Sequence, residues 1–313
     1  MLEKYFSNKT TNLVFCFFLE RSLPSFFRDT VANSITGHTI TIPKKLALNN
    51  KHRHLIKNIP NYLLFADDKE GLGSLKFKDV PQYKGFLLDF SKYQSASQFI
   101  ANQLSKRNQK NLRTKQNKLD HNHNITHRVY FGFLDEEEFI TIYTIFHDLL
   151  KNRFDQKKTQ NRYLNDWEAM QPIIYGKILN KEASLFVVYD ADKPIGITLN
   201  FHLDAIVFSH IQGYDLMYSN YNIGDISMLY HIDWCITNNI TIFDLSMGET
   251  YYKVKWSNRH YHFFHRLYYN NTTILDLLWV KIQILKFKFL QLLRDKQILG
   301  NYFSLDRLMY RLK

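Results

Sequence analysis

The sequence predicts a mixed α/β protein, and three observations carry that expectation. Hydrophobic residues make up 45% of the 313 residues, enough for a substantial core. From residue 126 onward, strand-like apolar runs alternate with segments of helical periodicity. The run Gly248-Glu249-Thr250-Tyr251-Tyr252-Lys253-Val254-Lys255-Trp256 directly follows the strand-like residues 241–245, and open α/β sheets place their sites at the ends of strands. A chain of this length suits one large or two modest domains.

Residues 1 to about 90 hold short strand-like pieces at 13–19, 62–66 and 86–90, separated by turn-rich segments such as 67–71. A helix is predicted over 95–119, with Ser95 as its cap. It carries Lys106, Arg107, Lys110, Arg113, Lys115 and Lys118 without one acidic residue among them. Lys106, Lys110 and Arg113 share a face at helical spacing, so the helix presents either a solvated surface or a ridge for phosphate. His121 and His123 lie in a polar loop with no cysteine or carboxylate at a metal-ligand spacing, and the same holds for His52 and His54. No metal site is expected.

A strand follows at 129–133, then a helix at 136–154 whose acidic first turn suits the positive helix end. A second helix is expected over 164–179, kinked or broken at Pro172. Strands at 185–189, 195–203 and 205–214 come next, the first two joined by a tight connection at 190–194. A polar loop at 219–222 leads to a helix from Gly224 or Asp225 to about residue 238, then to strands at 240–245 and 262–269.

Lys and Arg number 41 against 29 Asp and Glu, a net charge of +12 with a pI near 9.4. That balance favours an anionic partner: a phosphate-bearing cofactor, a nucleic acid or an acidic membrane surface. Cys16 and Cys235 both sit in apolar patterns and read as small buried hydrophobes, which excludes a disulfide framework. No secretory signal is evident, since the apolar run 13–19 is short and Glu20-Arg21 ends it. No segment reaches the ~18 uninterrupted apolar residues of a membrane span. The expected location is therefore cytoplasmic.

The element order β-α-α-β-β-β-α-β, with a glycine at the start of the helix after the fourth strand, resembles the N-acetyltransferase (GNAT) fold: a mixed sheet flanked by helices. More specifically, the chain resembles acetyltransferases of cellulose-biosynthesis type, relatives of the Fem-type peptidoglycan transferases. Three segments carry the likeness across roughly residues 85–270: the basic stretch 104–113, Gly213-Tyr214-Asp215 through Asn222-Ile223-Gly224, and Phe243-Asp244 with the run from Gly248 to Trp256. The family often has Ser-Pro-Gly where this chain has Asn222-Ile223-Gly224, so backbone access is kept while the loop shape differs.

The resemblance implies acyl transfer from acyl-CoA, acetyl-CoA above all, to an amine or hydroxyl of a small molecule, saccharide or lipid-linked intermediate. Backbone amides at Asn222, Ile223, Gly224, Asp225 and Ile226 would then hold the pyrophosphate, because unencumbered N–H groups at a helix start bind anions. A plain helix start capped by Asp225 is the competing expectation. Acyl transfer to an amine needs a base and a donor for the departing thiolate. Glu249 is the candidate base and Tyr252 the candidate donor, while Lys253 is placed to hold an anionic substrate or stabilise an oxyanion. Each has a bland counterpart: a helix-start carboxylate, a packing phenol, a solvated charge. Asp244 is placed to orient a site residue or cap a turn. Alternative functions are an aminoacyl-tRNA-dependent Fem-like transferase, or a non-catalytic protein holding nucleic acid or polysaccharide on the same scaffold.

The expected division is 1–94 (an α/β region, a degenerate second copy if the chain is tandem like its Fem relatives), 95–270 (the acyltransferase domain) and 271–313. Over 274–293, Leu275, Leu278, Ile282, Leu285, Phe289 and Leu292 form one helical stripe, with Lys281 and Lys288 off it. Packing of that stripe on the protein is expected. The other option is a basic interfacial helix on an anionic membrane, which would make the protein peripheral at the inner face.

Overall fold

The computed structural model describes residues 10–47, 53–161, 163–298 and 310. His52 lies outside them. The chain divides into two compact units, Met1–Phe86 with Met247–Glu249 and Arg259–Phe303, and Leu87–Ser246 with Thr250–Asn258 and Ser304–Lys313. Residues 259–269 and the helix after them thus return to the first unit instead of closing the second.

The chain opens with β1 (Thr10–Asn12) and a π-helical turn, Phe15–Leu19, where a strand was expected. The run is apolar throughout, so nothing in its pattern separates the two conformations. The first unit continues through β2 (Leu23–Pro24), β3 (Phe27–Asn33), β4 (Thr39–Thr41), β5 (Lys45–Leu46), β6 (Arg53–Pro60), β7 (Leu63–Asp67), α1 (Lys69–Leu72) and β8 (Lys76–Asp89), the last running on into the second unit.

The single helix expected over 95–119 is two, α2 (Ala96–Gln103) and α3 (Lys106–Asn122). Ser95 accepts the amide of Gln98 and Ser105 that of Asn108, so each serine caps its own helix. Next come β9 (Ile125–Tyr130), α4 (Glu136–Gln156) with Asp135 as its cap, and α5 (Trp167–Leu179), preceded by a 3-10 turn at Tyr163–Asp166. Pro172 lies inside α5, which is continuous across it. Then follow β10 (Ala183–Asp190), β11 (Lys193–Leu203), β12 (Ile206–Tyr214), a 3-10 turn at Leu216–Tyr221, α6 (Ile223–Thr237), β13 (Ile242–Met247) and α7 (Tyr251–Trp256). β14 (Arg259–Tyr269) and α8 (Ile274–Asp295) complete the first unit.

In the second unit the order is β13-β12-β11-β10-β9, antiparallel except for the parallel pair β12 and β13. β11 is buried at every position after Lys193, so both faces of the sheet are covered. α4 and α5 pack together on it, and α6 packs on it with α2 and α3 behind. Gly213 permits one of these contacts, since a Cβ there would sit 3.3–3.4 Å from Phe146, Leu149 and Leu150 of α4.

In the first unit β1 pairs parallel with β6, and β6 antiparallel with β14. Its core gathers Leu55, Val80, Leu267, Tyr269, Val280 and Phe287. The buried guanidinium of Arg266 spans two carboxylates there, Asp79 at 2.8 and 2.9 Å and Asp67 at 2.8 Å.

Candidate active site

β12 and β13 are paired at three positions only: Ile206 with Ile242, Val207 with Phe243, and Phe208 with Asp244. Beyond these, β12 runs on to Tyr214 and β13 to Met247 without another rung between them. The register of β12 against β11 also shifts, stepping past His210 between Leu199 and Asn200. An irregularity of this kind bends a strand and strengthens its twist, which helps two parallel neighbours part. Parted strands leave main-chain donors and acceptors facing the gap, which an extended, amide-bearing ligand can match.

α6 starts just after β12. Asn222 precedes it in the left-handed region (φ 56°) and makes no side-chain cap. The Asn222 amide donates to Ser219 O, and those of Asp225 and Ile226 both donate to Asn222 O at 2.8 and 3.2 Å. Of the five amides expected to face an anion, those of Ile223 and Gly224 make no such bond. The side chains of Ile223 and Ile226 are buried in the core, so these residues offer backbone alone. A Cβ on Gly224 would meet the Tyr214 ring at 3.5 Å, ordinary contact, so only a bulky side chain would obstruct this turn.

Asp225 does not cap α6. Its carboxylate accepts Lys255 Nζ at 2.6 Å and the Trp256 indole N–H at 2.8 Å, fastening α7 to the first turn of α6. The Tyr252 hydroxyl donates to Gly224 O at 3.3 Å across the same junction. Burial, reinforced by Asp225, raises the Tyr252 phenol far above its ordinary range, so it stays protonated. Thr250 caps α7 by accepting the Lys253 amide at 3.3 Å. Burial lowers the Lys253 ammonium to about 8, with the carboxylate of Asp244 pulling the other way. Asp244 is fully buried and also accepts the Ser246 amide at 2.7 Å. An amine titrating near neutrality beside a strand end is the kind of group that moves protons.

Glu249 is exposed, on the connection between β13 and α7. Gly248 before it has φ +95° with open space around a built Cβ, so glycine is needed there for conformation, not for room.

The basic helix reaches this region. Lys115 Nζ donates to Asn220 O at 2.6 Å, and Lys118 lies over the Tyr221 ring, both in the turn that leads into α6. Lys106, Lys110 and Arg113 are exposed. His123 is a structural latch: its Nδ1 is 2.7 Å from Asp190, which also accepts the Tyr218 hydroxyl at 2.7 Å. His54 is buried and bonded to Thr11. No group of three potential metal ligands occurs among the described residues.

Sequence reading gave no site role to Tyr214, Arg153 or Gln212. Arg153 donates to Gln212 O at 2.9 Å and lies 4.3 Å over the Tyr214 ring, whose edge flanks Gly224. A basic residue in the last turn of α4 was the available signal, and it reads equally well as a dipole partner.

The acetyltransferase (GNAT) domain profile matches residues 106–254, which span α3 to α7. No curated protein matches the chain in sequence. Among solved structures it is similar to FemX (TM-score 0.48, 10% identity, 68% of this chain and 71% of that one). It is also similar to a conserved protein of unknown function from Bacteroides thetaiotaomicron (0.46, 11%, 69% and 70%). A third is L-PGS from Bacillus licheniformis (0.39, 11%, 74% and 72%). At these scores and identities the likenesses carry no conclusion about substrate.

Proposed function

We propose, from the match of residues 106–254 to the acetyltransferase (GNAT) domain profile, that the second unit moves an acyl group from an acyl-CoA, acetyl-CoA above all, to an amine or hydroxyl of a small molecule or saccharide. The observation that carries this reading is the parting of β12 and β13 beyond Phe208 and Asp244, with the start of α6 and the amine of Lys253 gathered at the same end of the sheet.

Acyl-CoA would supply the thioester acyl group. An extended pantetheine-like arm suits the unpaired main chain of parted strands. Its phosphates suit the amides of Ile223 and Gly224, aided by the helix dipole and the cations of α3. Lys253, with its amine lowered to about 8, exists partly as the free base near neutral pH and can take the proton of an incoming amine. Tyr252 keeps its proton and can offer a hydrogen bond to a departing thiolate. Glu249 is the alternative base.

Thiol release from acetyl-CoA in the presence of pooled amines and amino sugars tests the activity. Thermal stabilisation by coenzyme A tests the donor. Transfer from aminoacyl-tRNA is a second reading, favoured by the exposed cations Lys106, Lys110 and Arg113. Stabilisation by tRNA but not by coenzyme A would select it.

A further inference from the structure

α8 does not bury the stripe expected to pack. Its protein-facing side is Asp276, Val280 and Phe287, with Trp279, Ile284 and Leu290 half-buried around the core. Leu275, Leu278, Ile282, Leu285, Phe289 and Leu292 face outward instead, Leu275 at 71% and Leu285 at 67% exposure. An unbroken apolar face of this length on a water-facing helix marks an interaction surface. It is not a membrane span, since no helix among the described residues is long and apolar enough to cross a bilayer.

At 100° per residue, Lys281 and Lys288 fall along one edge of the stripe and Lys286 along the other, beside Trp279. On that second edge lies a cavity of about 210 Å³ lined by Thr10, Arg53, Lys57, Trp279, Gln283 and Lys286 among others. Arg53 leans on the Trp279 ring at 5.8 Å. No ion pair joins Arg53, Lys57 or Lys286 to a carboxylate among the described residues. Burial lowers the Lys57 ammonium, and the like charge of Lys286 lowers it further, so an anion between them would relieve their repulsion.

We propose that α8 is an interfacial membrane surface: its apolar stripe lies in the headgroup–acyl boundary of an anionic bilayer, and the Arg53–Lys57–Lys286 cavity takes a phospholipid phosphate at its edge. An apolar strip bordered on both sides by lysines matches the layering of such a boundary, acyl chains below and phosphates above. A second copy of the same helix would set these lysine borders against one another.

The full-length protein is sedimented with vesicles of mixed phosphatidylglycerol and phosphatidylcholine and with vesicles of phosphatidylcholine alone. The wild type should pellet with the first and not the second, and should be released near 1 M salt, where the Debye length is about 3 Å. Ile282→Asp with Leu285→Asp should abolish pelleting while melting at the wild-type temperature, since both side chains face solvent. Lys57→Gln with Lys286→Gln should weaken partitioning roughly fivefold per charge removed. Any of four outcomes would overturn the proposal. The wild type fails to pellet; the doubly aspartate variant pellets as well as wild type; or the wild type is a dimer that this variant splits, with no vesicle binding in either. Binding of free glycerol phosphate at the cavity without vesicle association would likewise refute it.

Discussion

Lys255 Nζ lies 2.6 Å from Asp225 Oδ2, an ion pair largely withdrawn from water, with side chains 7% and 15% exposed. The pair decides how α7 is held against α6, because the same carboxylate also takes the Trp256 indole N–H. Removing one partner of such a pair leaves the other charge uncompensated. Asp225→Ala should therefore cost about 3 kcal/mol in urea unfolding. Asp225→Leu combined with Lys255→Met should recover most of that loss. If Asp225→Ala unfolds at the wild-type midpoint, the pair is not what fastens α7.

Lys253 sets the expected pH dependence. With its amine lowered to about 8, the base form accumulates as pH rises through that value, so kcat/KM should climb and level off above about pH 8. Lys253→Arg cannot deprotonate in this range. It should lose that limb and about 10²–10⁴ of the rate, with little change in coenzyme A affinity. The stability consequence has a definite sign. Between about 8 and the ordinary lysine value, the unfolded chain binds more protons than the folded one, so stability rises with pH there. Lys253→Met should flatten that rise.

Glu249 and Tyr252 separate the remaining roles. Tyr252→Phe removes a hydrogen-bond donor to the departing thiolate and the bond to Gly224 O, and should lower kcat about 10²-fold with little effect on the coenzyme A dissociation constant. Glu249→Gln should leave the alkaline limb in place if Lys253 is the base. A rate profile that loses its pH dependence in Glu249→Gln and keeps it in Lys253→Arg assigns the base to Glu249.

His231 links the second unit to acid. It is buried, with Nδ1 2.8 Å from Ser227 O and its ring stacked on Phe186, and burial pushes it down to about 4. Folding keeps it neutral, so stability is lost as pH falls from the unfolded value near 6.5 towards about 4. The slope is up to about 1.4 kcal/mol per pH unit for one such group. Chemical unfolding between pH 7 and 4 should show a shallower decline in His231→Gln than in wild type. An identical decline would mean that His231 is charged in the fold.

From residue 126 on, most elements were legible in the sequence because each has its own punctuation. The acidic first turn of α4, the tight turn after β10 and the glycine between β13 and α7 each mark a boundary. Residues 13–19 were not, because an all-apolar run carries no period to distinguish a strand from a helical turn. The break at Leu104 and Ser105 was hidden because no glycine or proline marks it and Ser105 reads as one more helical residue until it caps α3. The α8 stripe showed its period correctly and its direction wrongly: periodicity reports that a face is apolar, not what covers it. In the site, residue types pointed to the segment from Gly248 to Trp256. They did not show that Asp225 is tied to Lys255 and Trp256, a contact 30 residues apart that only the packing of α6 on α7 creates.

The central claim is tested most directly by calorimetric titration of coenzyme A into the full chain carrying glycine, alanine or tryptophan at position 224. A Cβ there meets only ordinary contact at the Tyr214 ring, so Gly224→Ala should bind as wild type does. Gly224→Trp should cover the amides of Ile223 and Gly224 and lower affinity at least about tenfold, or ~1.4 kcal/mol, with the folded unit retained by circular dichroism. Coenzyme A binding equally well to all three, or to none of them, would contradict the placement of the donor at the start of α6.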